Sequence, residues 1–257
     1  MKRTLLPVLA LLFALMFIFT ACSFGSDSED TTDESEEIST VEVNANLTSD
    51  TADRCSVSDL LEEVDIDTID LSQVDAINDV FFYMECTIYS DGSYAGYNTN
   101  VAMNGTSLVQ VTTSISGIYM GILIDNGVTY LVAPLTLTYV ELTDTVLEFI
   151  GIEADELVDI SSFTLDEDDV TSLSAYTVTI DDVDGYCIVS ESDELEEITY
   201  IYLIDDDIVQ IVTYDTDGNE TSCMVITTFS TTIPSDQLNI AYYTEASSVY
   251  SFFTALV

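Results

Sequence analysis

The sequence predicts a mainly β domain with a few short helices, and three observations carry that reading. Apolar residues recur with period two in a succession of runs between residues 80 and 229. Asn-Gly and Asp-Gly pairs fall between several of those runs, where tight hairpins need residues that accept positive φ. Apolar residues make up 47% of the chain, which separates it from a disordered acidic tail despite 48 Asp and Glu.

Residues 1–21 read as a secretory signal. Lys2 and Arg3 form a basic start, Leu5 to Ala21 is an almost unbroken apolar run, and the small Ala21 precedes Cys22. The segment Phe19-Thr20-Ala21-Cys22 resembles the lipobox of bacterial lipoproteins, with Phe19 where Leu is usual. The resemblance implies that the Cys22 thiol carries a diacylglyceryl group and becomes the first mature residue. An uncleaved membrane helix and an ordinary secretory signal are the competing readings, because about 17 apolar residues lie at the lower limit of a bilayer span. Two acyl chains at about 0.8 kcal/mol per methylene hold a domain on a membrane, so the expected location is the extracytoplasmic face of the cell membrane.

Residues 22–54 are rich in Ser, Thr, Asp and Glu, and like charges keep such a segment extended as an acidic disordered tether. Residues 55–257 then form the expected single β-rich domain. Ser56 and Ser72 each stand three residues before an acid, Asp59 and Asp75, the spacing of helix N-caps. Leu60, Leu61 and Val64, then Leu71, Val74 and Ile77, would give the two short helices an apolar side.

Phe82, Met84, Cys86 and Ile88 share one face of the first long strand, with Asp91-Gly92 as its turn. In the second, Tyr97, Thr99, Val101 and Met103 alternate with Asn98 and Asn100, a pattern wet on one side. Asn104-Gly105 and Asn126-Gly127 mark hairpins, and Pro134 ends the strand that starts at Val128. Residues 118–124 and 198–204 are apolar on both faces, which calls for cover on both sides of the sheet. Thr143 or Asp144 caps a helix through Val146, Leu147 and Ile150, and Glu153 to Val158 continues it after Gly151. Strands resume over 175–180, 186–189, 198–204, 208–214 and 222–229, with Asp184-Gly185 and Asp217-Gly218 at two of the turns. The total is about eleven strands.

Charge excludes whole classes of function. Loss of residues 1–21 removes Lys2 and Arg3 and no acid, leaving Arg54 as one cation against 48 carboxylates, a net charge of −47. Such a chain cannot neutralise phosphates, so nucleic acid is excluded as a partner. The sequence has no His and no Trp, and its single Lys goes with the signal, which removes Ser-His-Asp, Cys-His and Schiff-base chemistry and His-ligated zinc. The acidic runs Asp166 to Asp169, Asp181 to Asp184 and Asp205 to Asp207 lack the EF-hand spacing. No pair of carboxylates stands out as a glycosidase site. No enzyme activity, cofactor or metal site is therefore predicted. Cys55, Cys86, Cys187 and Cys223 permit two disulfides in three pairings, or remain reduced as small apolar strand residues.

The run from Ile124 through Asp-Asn-Gly-Val-Thr-Tyr to Pro134, followed by Thr138-Tyr139, resembles the middle of the LolA/LppX-like lipoprotein superfamily. The resemblance spans roughly residues 70–230. It implies an open antiparallel half-barrel of about eleven strands with helices over the concave face, and an apolar space between them that holds acyl chains or other lipids. Tyr97, Tyr119, Tyr130, Tyr139, Tyr200 and Tyr202 are the candidates to line its mouth, although tyrosine is also a favoured strand residue. The expected function is that of a lipid-anchored, non-enzymatic lipoprotein binding a hydrophobic small molecule or lipid. The alternative is a structural or adhesive surface protein with a fully packed core.

Overall fold

The computed structural model describes residues 51–79, 81–90, 97–105, 107–113, 119–150, 172–192, 197–234 and 239–255. Cys22, residues 22–50 of the expected tether, Asp91-Gly92, the acidic run at 166–169 and the helix expected over 153–158 lie outside these residues, whereas Ala52 and Arg54, expected in the tether, lie against the sheet. Among the described residues one mainly antiparallel sheet organises everything.

Its first half is a meander of six strands: β2 (Phe81–Ser90), β3 (Tyr97–Asn104), β4 (Ser107–Thr113), β5 (Tyr119–Asp125), β6 (Val128–Ala133) and β7 (Thr138–Glu141). The second half has five: β8 (Ser172–Ile180), β9 (Val183–Ser192), β10 (Glu197–Ile204), β11 (Asp207–Asp215) and β12 (Glu220–Ser230). These are the eleven strands expected. Strand β12 pairs antiparallel with β2, from Ser222 opposite Ser90 to Ser230 opposite Tyr83, and joins the two meanders into one sheet. Two-residue strands close the margins, β1 (Glu63–Val64) on β8 and β13 (Thr244–Glu245) parallel to β7. The two margins do not pair with each other, so the half-barrel stays open, and such short edge strands leave little template for further pairing.

Three short helices lie over one face of the sheet: α1 (Ser72–Asn78), α2 (Asp144–Ile150) and α3 (Val249–Thr254). Leu71, Val74 and Ile77 of the first, Val146 and Leu147 of the second and Phe252 of the third join one apolar cluster with Phe82, Met84, Cys86 and Ile88. This is the inner face. Helix α1 is fixed by Gln73, which accepts the Ile208 N–H at 3.0 Å and donates to Asp207 Oδ1. Helix α3 starts in a capping box between Ser248 and Ser251.

The outer face is buried as well, by two chain segments. Ala52, Cys55 and Val57 pack on Val178, Ile180, Cys187, Val212 and Cys223. Ile233, Ile240 and Tyr243 pack on Tyr83, Ala102, Leu123 and Val132. Both doubly apolar runs thus find cover: Ile122 and Ile124 face inward and Leu123 outward, Ile201 and Leu203 inward and Tyr200 and Tyr202 outward. The expected wet side of β3 is not wet. Thr87 Oγ1 accepts the Ala52 N–H at 2.9 Å and donates to Asn98 Oδ1 at 2.7 Å, while Asn100 is itself buried.

The helix expected after Ser56 does not form. Residues 56–64 run extended along the margin of β8, with Ser58 N–H on Thr179 O, Leu61 N–H on Thr177 O and Thr177 N–H on Glu62 O. An unpaired strand margin offers these amides better partners than an isolated turn of helix, and Leu61 is left 61% exposed. Ser72 opens α1 as its first residue, not its cap. The residue before it is Leu71, and Asp70 Oδ1 takes the Ser72 N–H.

Asn126 (φ 50°) and Gly127 (φ 77°) make the two-residue turn their sequence predicts. The β3–β4 turn is displaced by one residue, since Asn104 pairs with Ser107 and Gly105 (φ 58°) opens the loop. Asp184-Gly185 is not a turn at all. The turn there is Asp181-Asp182 (φ 47° and 66°), and Gly185 sits inside β9, where a Cβ would stand 2.4 Å from the carbonyl oxygen of Leu203. Asp205-Asp206 (φ 50° and 71°) repeats this acidic turn between β10 and β11.

Two adjacent Asp residues at positive φ are a costly choice for such a turn. Asp205→Asn combined with Asp206→Gly is expected to raise the unfolding free energy by about 1 kcal/mol, read from denaturant midpoints. The same exchange at Asp181-Asp182 should gain less, because Asp181 Oδ1 holds the Ser56 N–H at 2.8 Å. Equal gains at both turns would show that this clip contributes nothing.

Arg54 holds the outer cover from residue 52 onward. Its guanidinium lies 4.7 Å from the Tyr89 ring centroid, and its Nη1 is 2.7 Å from Glu220 Oε1 and donates to Oε2 at 3.0 Å. The pair is partly buried, at 32% and 20% side-chain exposure, which puts its loss between that of a surface pair and a buried one. Arg54→Leu is expected to lower stability by about 2 kcal/mol in chemical denaturation. An unchanged midpoint would mean that apolar packing alone holds the cover.

Candidate functional site

Side chains in register across β9, β10, β11 and β12 form rows on the inner face. One row is Ile188, Ile201, Ile211 and Met224, each opposite the next, and it continues to Ile88 of β2. All five are buried in the helix-covered cluster. The next row of this face, two residues along each strand, changes character. Ser190 lies opposite Thr199, Thr199 opposite Thr213 and Thr213 opposite Ser222.

These four hydroxyls are buried, with Ser190 at 1% exposure. Thr199 Oγ1 and Thr213 Oγ1 lie 3.4 Å apart and satisfy one another. Ser190 Oγ has no hydrogen-bond partner among the described residues. A buried hydroxyl without a partner forfeits about 1–3 kcal/mol, so the position favours anything that supplies one. Beyond it Glu197, between Ser192 and Asp215, titrates above the usual carboxyl range because burial opposes its charge. The inner face is therefore amphipathic, apolar over most of its extent and hydroxylated at one end of β9–β12.

The predicted tyrosines whose side chains are described do not converge on one mouth. Tyr130 and Tyr139 meet edge to face, ring centroids 5.2 Å apart, on the outer face under Ile233, Ile240 and Tyr243. Tyr200 and Tyr202 stack at 6.4 Å on the outer face of the other half, with Tyr214 edge-on to Tyr200 at 5.5 Å. Tyr119 opens β5, half-buried, and alternation puts it with Leu123 on the outer side. Tyr97 begins β3, and its side chain lies outside the described residues. Burial raises the hydroxyls of Tyr130, Tyr200 and Tyr202 above their ordinary value, so all stay neutral and act as packing groups. The hydroxyl row was missed because Ser and Thr within strands read as ordinary alternation. Only the register aligns them.

The two-disulfide arrangement is corrected. Cys86 belongs to the inner cluster, whereas Cys55, Cys187 and Cys223 belong to the outer one, so the sheet separates Cys86 from every partner. All four thiols are free. Cys187 lies opposite Tyr202 and Cys223 opposite Val212, three strands apart in the sheet. Burial pushes both thiols up to about 12, and raises Cys86 further. Cys55 is raised less steeply, by burial and then by the neighbouring Asp181 carboxylate.

Thiols raised in the folded state contribute stability that is complete below the ordinary value of 9.0 and is lost as pH rises toward about 12. Unfolding free energy should fall steadily over that interval. At pH 8 an aromatic disulfide reagent should label Cys55 alone, and slowly, in the native protein, and all four after denaturation. Denatured protein with no titratable thiol would overturn the free-thiol assignment.

No family model matches the chain, and no curated protein matches it. Among solved structures it is similar to MucB of Pseudomonas aeruginosa in complex with MucA, at 11% identity and a TM-score of 0.39, over 66% of this chain and 59% of that one. The chain thus spans about three fifths of the MucB chain. It is also similar to a domain described as an outer membrane lipoprotein-sorting protein from Vibrio parahaemolyticus, at 7% identity and a TM-score of 0.26, over 62% and 88% of the two chains. A DUF1329 family protein from Desulfovibrio piger matches at 9% identity and a TM-score of 0.24, over 60% and 87%. At these values the likenesses decide nothing about superfamily, activity or ligand.

Proposed function

We propose that this chain is a lipid-anchored lipoprotein at the extracytoplasmic face of the cell membrane, without catalytic activity, whose half-barrel takes a hydrophobic ligand with a small polar end. One observation carries the ligand: the inner face passes from the row of Ile188, Ile201, Ile211 and Met224 to the row of Ser190, Thr199, Thr213 and Ser222, where Ser190 Oγ lacks a partner. An acyl chain lies along the apolar rows, and its ester or hydroxyl end meets the hydroxyls. A carboxylate end is disfavoured beside Glu197, with no cation among the inner-face residues named here to offset it. Anchoring rests on the signal at residues 1–21 and on Cys22, and the tether lets the domain stand away from the bilayer.

A second reading is favoured by Phe82, Met84 and Met103, which have no exposed surface at all. On that reading the interior is solid and the chain is a structural or adhesive surface protein. Native mass spectrometry of the full chain after mild detergent extraction separates the two. The expected result is a covalent diacylglyceryl mass that Cys22→Ala removes, and a non-covalent acyl-lipid adduct that survives this exchange. Protein bare in every preparation would leave the packed-core reading. An unmodified Cys22 thiol or an uncleaved leader would overturn the anchor.

A further inference from the structure

A cleft of about 690 Å³ opens on the outer face at the end of β2, β3 and β5, away from the amphipathic inner face. That volume is in the range of small-molecule sites, about 300–1,000 Å³. Its floor comes from the sheet: Phe81 and Asn104 lie opposite each other in the β2–β3 ladder, and Asp125 ends β5 beside Asn126 of the turn. Its wall is the chain after β12, from Thr231 to Pro234, and Asn239.

The cleft is set in place by local bonds. Ser230 Oγ accepts the Thr232 N–H at 2.9 Å and donates to Thr232 O at 3.2 Å, which fixes the start of the wall. Ile233 and Ile240 anchor it on the outer cluster. Asn239 Oδ1 accepts the Ala241 N–H at 2.9 Å, a bond that leaves its Nδ2 donors unused. Asn126 Nδ2 donates to Asp125 Oδ1 at 2.7 Å, leaving Asp125 Oδ2 and Asn126 Oδ1 as acceptors. The Asn104 amide has no side-chain partner among the described residues and offers both donors and an acceptor. Phe81, 46% exposed, supplies a flat apolar surface beside these polar groups.

We infer that this cleft binds a neutral polyhydroxylated ligand, a saccharide unit. Each sugar hydroxyl both donates and accepts, and the cleft presents donors and acceptors side by side from amides, a carboxylate and threonine hydroxyls. The C–H face of a pyranose packs on an aromatic ring, which is the place of Phe81. Charge disfavours one alternative: the described lining residues include Asp125 and no cation, within a chain of net charge −45, so anionic ligands are repelled. The cleft's polar lining does not suit an acyl chain.

The test is titration of the detergent-extracted full chain with glucose, N-acetylglucosamine, maltotriose and glucuronate, followed by saturation-transfer NMR and calorimetry. At least one neutral sugar is expected to bind with little dependence on salt, and glucuronate more weakly than glucose. Asn104→Ala and Phe81→Ala should each weaken binding about tenfold. Both side chains are exposed, so melting temperatures should hold, and Asn104→Asp serves as a second variant if Phe81→Ala unfolds. Absence of binding by all three neutral sugars, or binding that both variants leave unchanged, would overturn the assignment. Neither outcome bears on the lipid adduct, which concerns the opposite face.

Discussion

A sheet with apolar side chains on both faces cannot stand in water, and this constraint governs the whole molecule. Strands β2 and β12 meet at its centre, and each sends residues both ways: Met84 and Met224 inward, Tyr83 and Cys223 outward. Short helices cover the inner face, and the outer face is covered by the chain on either side of the sheet in sequence. Ala52, Cys55 and Val57 cover one half, and Ile233, Ile240 and Tyr243 the other. Buried groups are paired along the way, as in the relay from Ala52 N–H through Thr87 to Asn98. Among the described residues the fold is thus a sandwich whose outer layer is neither sheet nor α-helix, but extended chain and one 3-10 turn at Ile240–Tyr242.

That arrangement divides the two faces by chemistry. Over β8 to β12 the outer face is covered by packed tyrosines, thiols and the segment held by the Arg54–Glu220 pair, with raised thiols and phenols as the consequence of burial. The inner face retains a gradient from isoleucine to hydroxyl rows, and Ser190 Oγ there has no partner among the described residues. Ala at that position would remove the desolvation cost the hydroxyl carries.

Much of the fold was legible in the sequence because strand alternation and turn chemistry are local. Eleven strands, the turn at Asn126-Gly127, the stop at Pro134 and the helix from Asp144 all follow from spacing. The failures are tertiary. Gly185 signals a turn by composition, yet it is there to let the Leu203 carbonyl approach, a contact between strands β9 and β10. The segment after Ser56 has a helix start, yet the bare margin of β8 outbids a short helix. Tyr130, Tyr139, Tyr200 and Tyr202 looked like a lining because they are amphipathic, and they are outer-face packing instead. Asn104 and Asn126 read as turn residues, and only the approach of Thr231 to Pro234 and of Asn239 makes them part of a cleft.

The acidity has a structural place in this scheme. With three cations against 48 carboxylates, most carboxylates must sit where water can solvate them, and the hairpin tips are such positions. Asp181-Asp182 and Asp205-Asp206 occupy two-residue turns at positive φ, where Asn-Gly would be the less strained choice. Aspartate tolerates that backbone better than most residues and keeps the turn charged. Charge at the strand ends deters edge pairing between copies, as the two-residue margins β1 and β13 do. It also disfavours anionic visitors, so ligands of the two faces are expected to be neutral or cationic. An uncharged acyl ester on one face and an uncharged sugar on the other are the chemistries such a field leaves open.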